Sequence, residues 1–154
     1  MQYSLSSCTH VYAMEGAKGI IKRLHQCGRA GKAKEAELYL KTMHALYWSG
    51  KEDLKPDVRH FNSVMNAWAK SRERGREFKT QEILDWMRHV HTTTDENWNV
   101  KPTRVTYNIC INTWCESREL NAVDNALKLF NQMLSLYEAG DSEIKPDCQI
   151  FRLV

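Results

Sequence analysis

The sequence predicts an all-α protein, an α-solenoid of stacked antiparallel helix hairpins with about three repeats and a truncated fourth. Three observations carry that prediction. Every proline follows a lysine, at Lys55-Pro56, Lys101-Pro102 and Lys145-Pro146, and the prolines lie 46 and then 44 residues apart. When the chain is slid by 46, nine of the 33 positions from Lys55 to Met87 are identical to Lys101–Met133, where unrelated sequences would share roughly two. Within each period the apolar residues recur at helical spacing.

The first helix of a repeat reads from Phe61, Met65 and Trp68, matched by Tyr107, Ile111 and Trp114. These are i, i+4, i+7 positions on one helix face. The second helix reads from Ala33, Ala36, Leu40, Met43 and Tyr47, and again from Val123, Ala126, Phe130, Met133 and Tyr137, each set spaced 3, 4, 3, 4. Sliding by 90 superposes the two sets, and Gly50 and Gly140 then fall together, just past the helix end where glycine is favoured. Asp57, Thr103 and Asp147, each after a proline, are expected N-caps for the next first helix. The units are therefore 15–57, 58–103 and 104–147, followed by a start of a fourth at 148–154. Residues 1–14 carry no clear structural signal, and both ends look like cuts in a longer chain. A lone hairpin cannot bury its apolar stripe, so the units are expected to stack.

Composition excludes several classes of function. At 154 residues, 42% hydrophobic and 27% charged, the chain can bury a core. No apolar run reaches the roughly 18–20 residues that span a bilayer. The five cysteines, Cys8, Cys27, Cys110, Cys115 and Cys148, lack the paired spacing of a zinc site and read as reduced apolar fillers. His89 and His91 are two apart and diverge on a helix, which makes a poor metal pair. No phosphate-cradling glycine loop, nucleophile elbow or carboxylate pair is present, so no catalytic residue, cofactor or small-molecule substrate is expected. The net charge of +3 permits an anionic partner.

The stretch Arg104-Val-Thr-Tyr-Asn-Ile-Cys-Ile-Asn-Thr-Trp114, with Asn125-Ala-Leu-Lys-Leu-Phe-Asn-Gln-Met133 and Lys145-Pro146-Asp147, resembles a pentatricopeptide repeat. Phe61-Asn62, Asn66-Ala67-Trp68 and Met87 extend the resemblance to the second unit, and Cys27–Ala36 and Met43 to the first. These units run to 43–46 residues where the family has about 35. The resemblance implies single-stranded RNA binding, roughly one nucleotide per repeat. It implies base reading by Asn62 with Thr103 and by Asn108 with Asp147, a pair that favours uracil. The equivalent pair of the first unit, Ile21 and Asp57, cannot read a base through Ile21, and the fragmentary fourth unit offers Arg152. Base stacking would fall to Arg59 and Val105, and phosphate contact to Arg29 and Lys70. At the equivalent place the third unit has Glu116. The resemblance also implies a mitochondrial or chloroplast location, work in RNA processing, stability, editing or translation, and protein partners in a longer chain.

Plainer readings stand beside these. Asn62 and Asn108 could be ordinary polar residues near a helix start, and Asp57 and Asp147 are N-caps whether or not they touch RNA. Trp68 and Trp114 belong to the packing stripe. The basic cluster of Lys22, Arg23, Arg29, Lys32 and Lys34 is either a solvated face or a phosphate contact. The alternative function is a protein-binding scaffold of the tetratricopeptide kind, against which the Phe61-Asn62 and Tyr107-Asn108 pairs discriminate. A third reading places a catalytic domain, such as a nuclease, beyond this segment. The RNA reading requires Asn62 and Asn108 to point into an open groove.

Overall fold

The computed structural model describes residues 5–94 and 98–146. Among these, six α-helices and no strand are found. They are α1 (Leu5–Ala30), α2 (Ala33–Trp48), α3 (Val58–Lys70), α4 (Arg76–Thr93), α5 (Arg104–Cys115) and α6 (Ala122–Glu138). Two single-turn 3-10 segments lie at Glu52–Leu54 and Ser142–Ile144. The protein is all-α, with α1, α2 and α3 packed together and α5 packed on α4 and on α6. No helix among the described residues is long and apolar enough to cross a membrane.

The internal repeat governs element boundaries. Helix α5 begins 46 residues after α3, α6 begins 46 after α4, and the second 3-10 turn begins 90 after the first. Their ends match in chemistry too. The amide of Gly50 bonds to the Tyr47 carbonyl and that of Lys51 to Leu46; Gly140 and Asp141 repeat this on Tyr137 and Leu136. Such doubled closure needs a left-handed residue, and φ is 99° at Gly50 and 104° at Gly140. Each 3-10 turn buries one apolar residue, Leu54 or Ile144.

The chain divides into two compact units, Met1–Ser71 and Arg72–Val154. The division falls inside the repeat at 58–103, between its two helices. The first unit therefore holds α1, α2 and α3, and the second holds α4, α5 and α6.

In the first unit each helix touches the other two. A two-residue link, Gly31-Lys32, returns the chain from α1 to α2. Ile20, Leu24, Leu40, Met43, Leu46, Phe61 and Val64 are fully buried, and each such side chain contributes about 1.5–3 kcal/mol. Ala33, Ala36, Leu40 and Met43 lie on the expected face of α2. Helix α1 and helix α3 meet very closely at Gly28, where a Cβ would stand 2.9 Å from the Ser63 carbonyl oxygen.

The segment 1–14 differs from its expectation. From Leu5 it is helical, and the helix breaks at Gly16, whose φ of 64° and ψ of 175° are not helical. Cys8 is buried with its thiol 3.9 Å from the Thr42 hydroxyl. The Tyr12 hydroxyl donates to Asp53 at 3.5 Å, and Lys51 lies over its ring. Cys8 and Tyr12, four apart, are among its anchors, too short a row to make a visible period in the sequence.

In the second unit α5 packs on both α4 and α6. Leu84, Met87, Tyr107, Cys110, Ile111, Trp114, Ala126 and Met133 form its buried set. Burial pushes the Cys110 thiol up to about 12, against the smaller opposing effect of the Thr80 hydroxyl, which makes it an inert filler. The stripe on α6 is offset from the expected one. Ala122, Ala126, Leu129 and Met133 are buried, while Val123 is 60% exposed. Spacings of 4, 3, 4 keep that row on one line, and Val123 sits about 100° around the helix from it.

Candidate nucleic-acid interface

The N-terminus of α3 is built by Asp57. Its carboxylate accepts from the amides of Arg59 (2.9 Å) and His60 (3.2 Å), and its own amide donates to His60 Nδ1 at 3.0 Å. This reciprocal cap satisfies donors that the first turn leaves over. Burial alone would raise the Asp57 carboxyl, but hydrogen bonds from His60 and Arg59 outweigh it and hold the group far below the usual carboxylate range. Thr103 caps α5 in the same place, its amide donating to Thr106 Oγ1 at 3.0 Å. The expected N-cap roles of Asp57 and Thr103 are met. Asp147 and Arg152 lie outside the described residues.

Arg59 is exposed, and its guanidinium is fixed on Asp57 through Nε (3.0 Å) and Nη2 (2.7 Å). That contact orients the plane and leaves its faces open to solvent. Val105 is 52% exposed, one residue into α5. Ile21 is half-buried on α1.

Asn62 and Asn108 are not displayed as an open groove would require. Both residues are half-buried, and both Oδ1 atoms are shielded from solvent. The Asn62 oxygen accepts no hydrogen bond among the described residues. An amide whose carbonyl faces inward does not offer a base edge the donor and acceptor together. The asparagines therefore occupy the expected helix positions without the expected presentation. Trp68 and Trp114 are packing residues as expected: Trp68 Nε1 donates to Glu37 at 2.9 Å, and Trp114 meets the Phe78 ring edge-on at 4.9 Å.

The residues expected to contact phosphate converge. Arg29 at the end of α1 and Lys70 at the end of α3 line one cleft of about 340 Å³ within the first unit, together with His25, Gly28, Ser63 and Asn66. The close approach at Gly28 is what brings the two cations onto a shared space. Among the described residues neither Arg29 nor Lys70 has a carboxylate partner, whereas Arg23 pairs with Glu15, Lys32 with Glu35 and Lys41 with Glu37. Two cations held without counter-charge on one concave wall favour an anion between them.

His25, Ser63 and Asn66 are cleft residues that the repeat pattern did not single out as a site. His25 Nδ1 lies 2.9 Å from Ser63 Oγ, and its ring stacks on His60 at 5.3 Å between centroids. Burial, then the neighbouring His60 ring and the Arg29 and Arg59 cations, hold the His25 ring below its usual value, with Asp57 opposing them. Asn66 recurs as Asn112 in the sequence, but a recurring polar residue does not reveal which neighbour it will face.

The sequence of the second unit does not repeat the residues of this cleft. Ser63 and Lys70 become Ile109 and Glu116 at the 46-residue offset. Glu116 is exposed and receives Arg76 Nη2 at 2.9 Å. A wider groove of about 610 Å³ does run past Arg88, Tyr107, Lys128, Gln132 and Leu136. Its arginine is already committed: Arg88 donates to the Tyr107 hydroxyl (2.9 Å), Gln132 (2.6 Å) and Asp85 (3.3 Å). No family model, no curated protein and no solved structure matches the chain.

Proposed function

We propose that this protein binds single-stranded RNA as part of an α-solenoid of helical repeats, without catalysing a reaction. The observation that carries the reading is the pair Arg29 and Lys70. They stand at equivalent places on two first helices, share one cleft and lack carboxylate partners among the described residues. An extended polyanion is the partner that such spacing suits, because its successive phosphates meet successive helices. Recognition of about one nucleotide per repeat would come from Asn62 with Thr103 and Asn108 with Asp147, once each amide turns its carbonyl outward. Arg59 and Val105 would stack on base faces. The setting this implies is organellar RNA metabolism, in mitochondria or chloroplasts.

The test is fluorescence anisotropy of labelled oligouridylate and oligoadenylate on the full chain at two salt concentrations. Binding that weakens with salt and favours oligouridylate supports the reading. Indifference to both RNAs at both salts overturns it in favour of a protein-binding scaffold, for which the exposed Val123 and Leu127, one turn apart on α6, supply an apolar surface.

A further inference from the structure

The cleft contains a third group able to face a phosphate, and nothing in the repeat pattern calls for it. His25 sits on α1 one turn before Arg29 and lines the same wall. Its Nδ1 is engaged with Ser63 Oγ, so the ring is oriented by α3 rather than free to swing. A protonated ring would use Nδ1–H on the serine and keep Nε2–H as a charged donor.

We propose that His25 is a phosphate ligand of this cleft that engages RNA in its protonated form, so that binding takes up a proton. This rests on the RNA reading above and adds its regulation. In the free protein the groups around the ring work against protonation: the His60 ring stacked on it and the Arg59 cation beyond, both from α3, and the Arg29 cation from its own helix, while Lys70 lines the same cleft. Asp57 opposes them, and its carboxylate is already engaged by Arg59 and His60. A phosphate between Arg29 and Lys70 reverses that balance, since it neutralises the two cleft cations and attracts a third. Protonation and RNA binding then support one another. Affinity is expected to rise as pH falls below neutrality, in the window where the free ring is still neutral and the bound ring is charged.

The experiment follows oligouridylate binding to the full chain from pH 8 to pH 5.5 at constant ionic strength, for the wild type and for His25→Gln. Because other histidines also titrate, the comparison between the two proteins carries the result. The wild type should gain about tenfold more affinity than the variant across that range, equivalent to about one unit of upward movement in the His25 pKa. A second measurement needs no variant: the His25 Cε1–H resonance, titrated with and without RNA, should shift its midpoint upward. Equal pH slopes in both proteins, or an unmoved midpoint with RNA bound, overturns the proposal and leaves the RNA reading standing. Failure of RNA to bind at any pH overturns the RNA reading instead. The same resonance titrated against inorganic tripolyphosphate then decides for His25, a rise supporting it and no change sinking it.

Discussion

The two compact units are close to equal in length and opposite in charge. The first, residues 1–71, has eleven lysines and arginines against six aspartates and glutamates, a net +5. The second, residues 72–154, has eleven against thirteen, a net −2. The mild +3 of the whole chain thus averages a basic half and an acidic half. The contrast continues in detail: where α3 ends on Lys70, which has no carboxylate partner among the described residues, the equivalent position after α5 is Glu116 bound to Arg76. Helical repetition has fixed the scaffold while leaving the electrostatics of each unit free to diverge. A net figure for the chain therefore says little about where a polyanion would settle.

The largest expected effect separates the halves directly. Replacing Arg29 and Lys70 together by glutamine should cost about 30-fold in RNA affinity and reduce the salt slope by about 1.4, the value for two phosphate contacts on a single strand. The same change at Arg118 and Lys128 should cost less than about twofold; comparable losses from both pairs in a salt-dependent binding assay would erase the contrast.

Gly28 offers the next largest effect, through packing. A methyl group there meets the Ser63 carbonyl at 2.9 Å, and backbone yields poorly. Gly28→Ala should destabilise the chain by about 1–3 kcal/mol in denaturant titration and lower RNA affinity by spreading Arg29 from Lys70. An unchanged unfolding midpoint would mean that the contact relaxes without cost.

The caps sharpen the comparison through pH. Asp57→Ala should cost about 1–2 kcal/mol near pH 7, and Thr103→Ala about 0.5–1 kcal/mol. Because the folded-state pKa of Asp57 is lowered, the stability due to its charge is present above the unfolded-state value, about 3.9. It is lost as pH falls from there toward the folded value. The gap between wild type and Asp57→Ala should narrow in that acid range by thermal melting, while the Thr103→Ala gap stays constant. The smallest effect is Glu116→Lys, which gives the second unit the cation it lacks and should raise RNA affinity about two- to threefold at low salt. A fall in affinity would show that RNA does not pass that place.

Much of the fold is readable from the sequence because the repeat offset is a property of single positions. Phe61 and Tyr107, or Met43 and Met133, each report a buried face at a known phase. The resemblance points to Arg29 and Lys70 for phosphate contact, and the structure sets both on one cleft. What escaped depends on pairs of residues distant in sequence. His25 and Ser63 are 38 apart, and only the approach of two helices at Gly28 makes them neighbours. The helix before Gly16 escaped because Cys8 and Tyr12, four residues apart, are too few to mark a period. Val123 misled because an apolar residue one step off the buried row fits the same 3-4 spacing.

The concealed oxygen of Asn62 has an energetic consequence for the free chain. A carbonyl withdrawn from water with no donor facing it costs about 1–3 kcal/mol, and the helix tolerates this at a position where leucine would sit comfortably. A nucleobase that drew the amide around would recover that penalty as affinity. The resting protein would then be less stable than its scaffold allows, and the deficit at residue 62 would be the part of its stability given over to recognition.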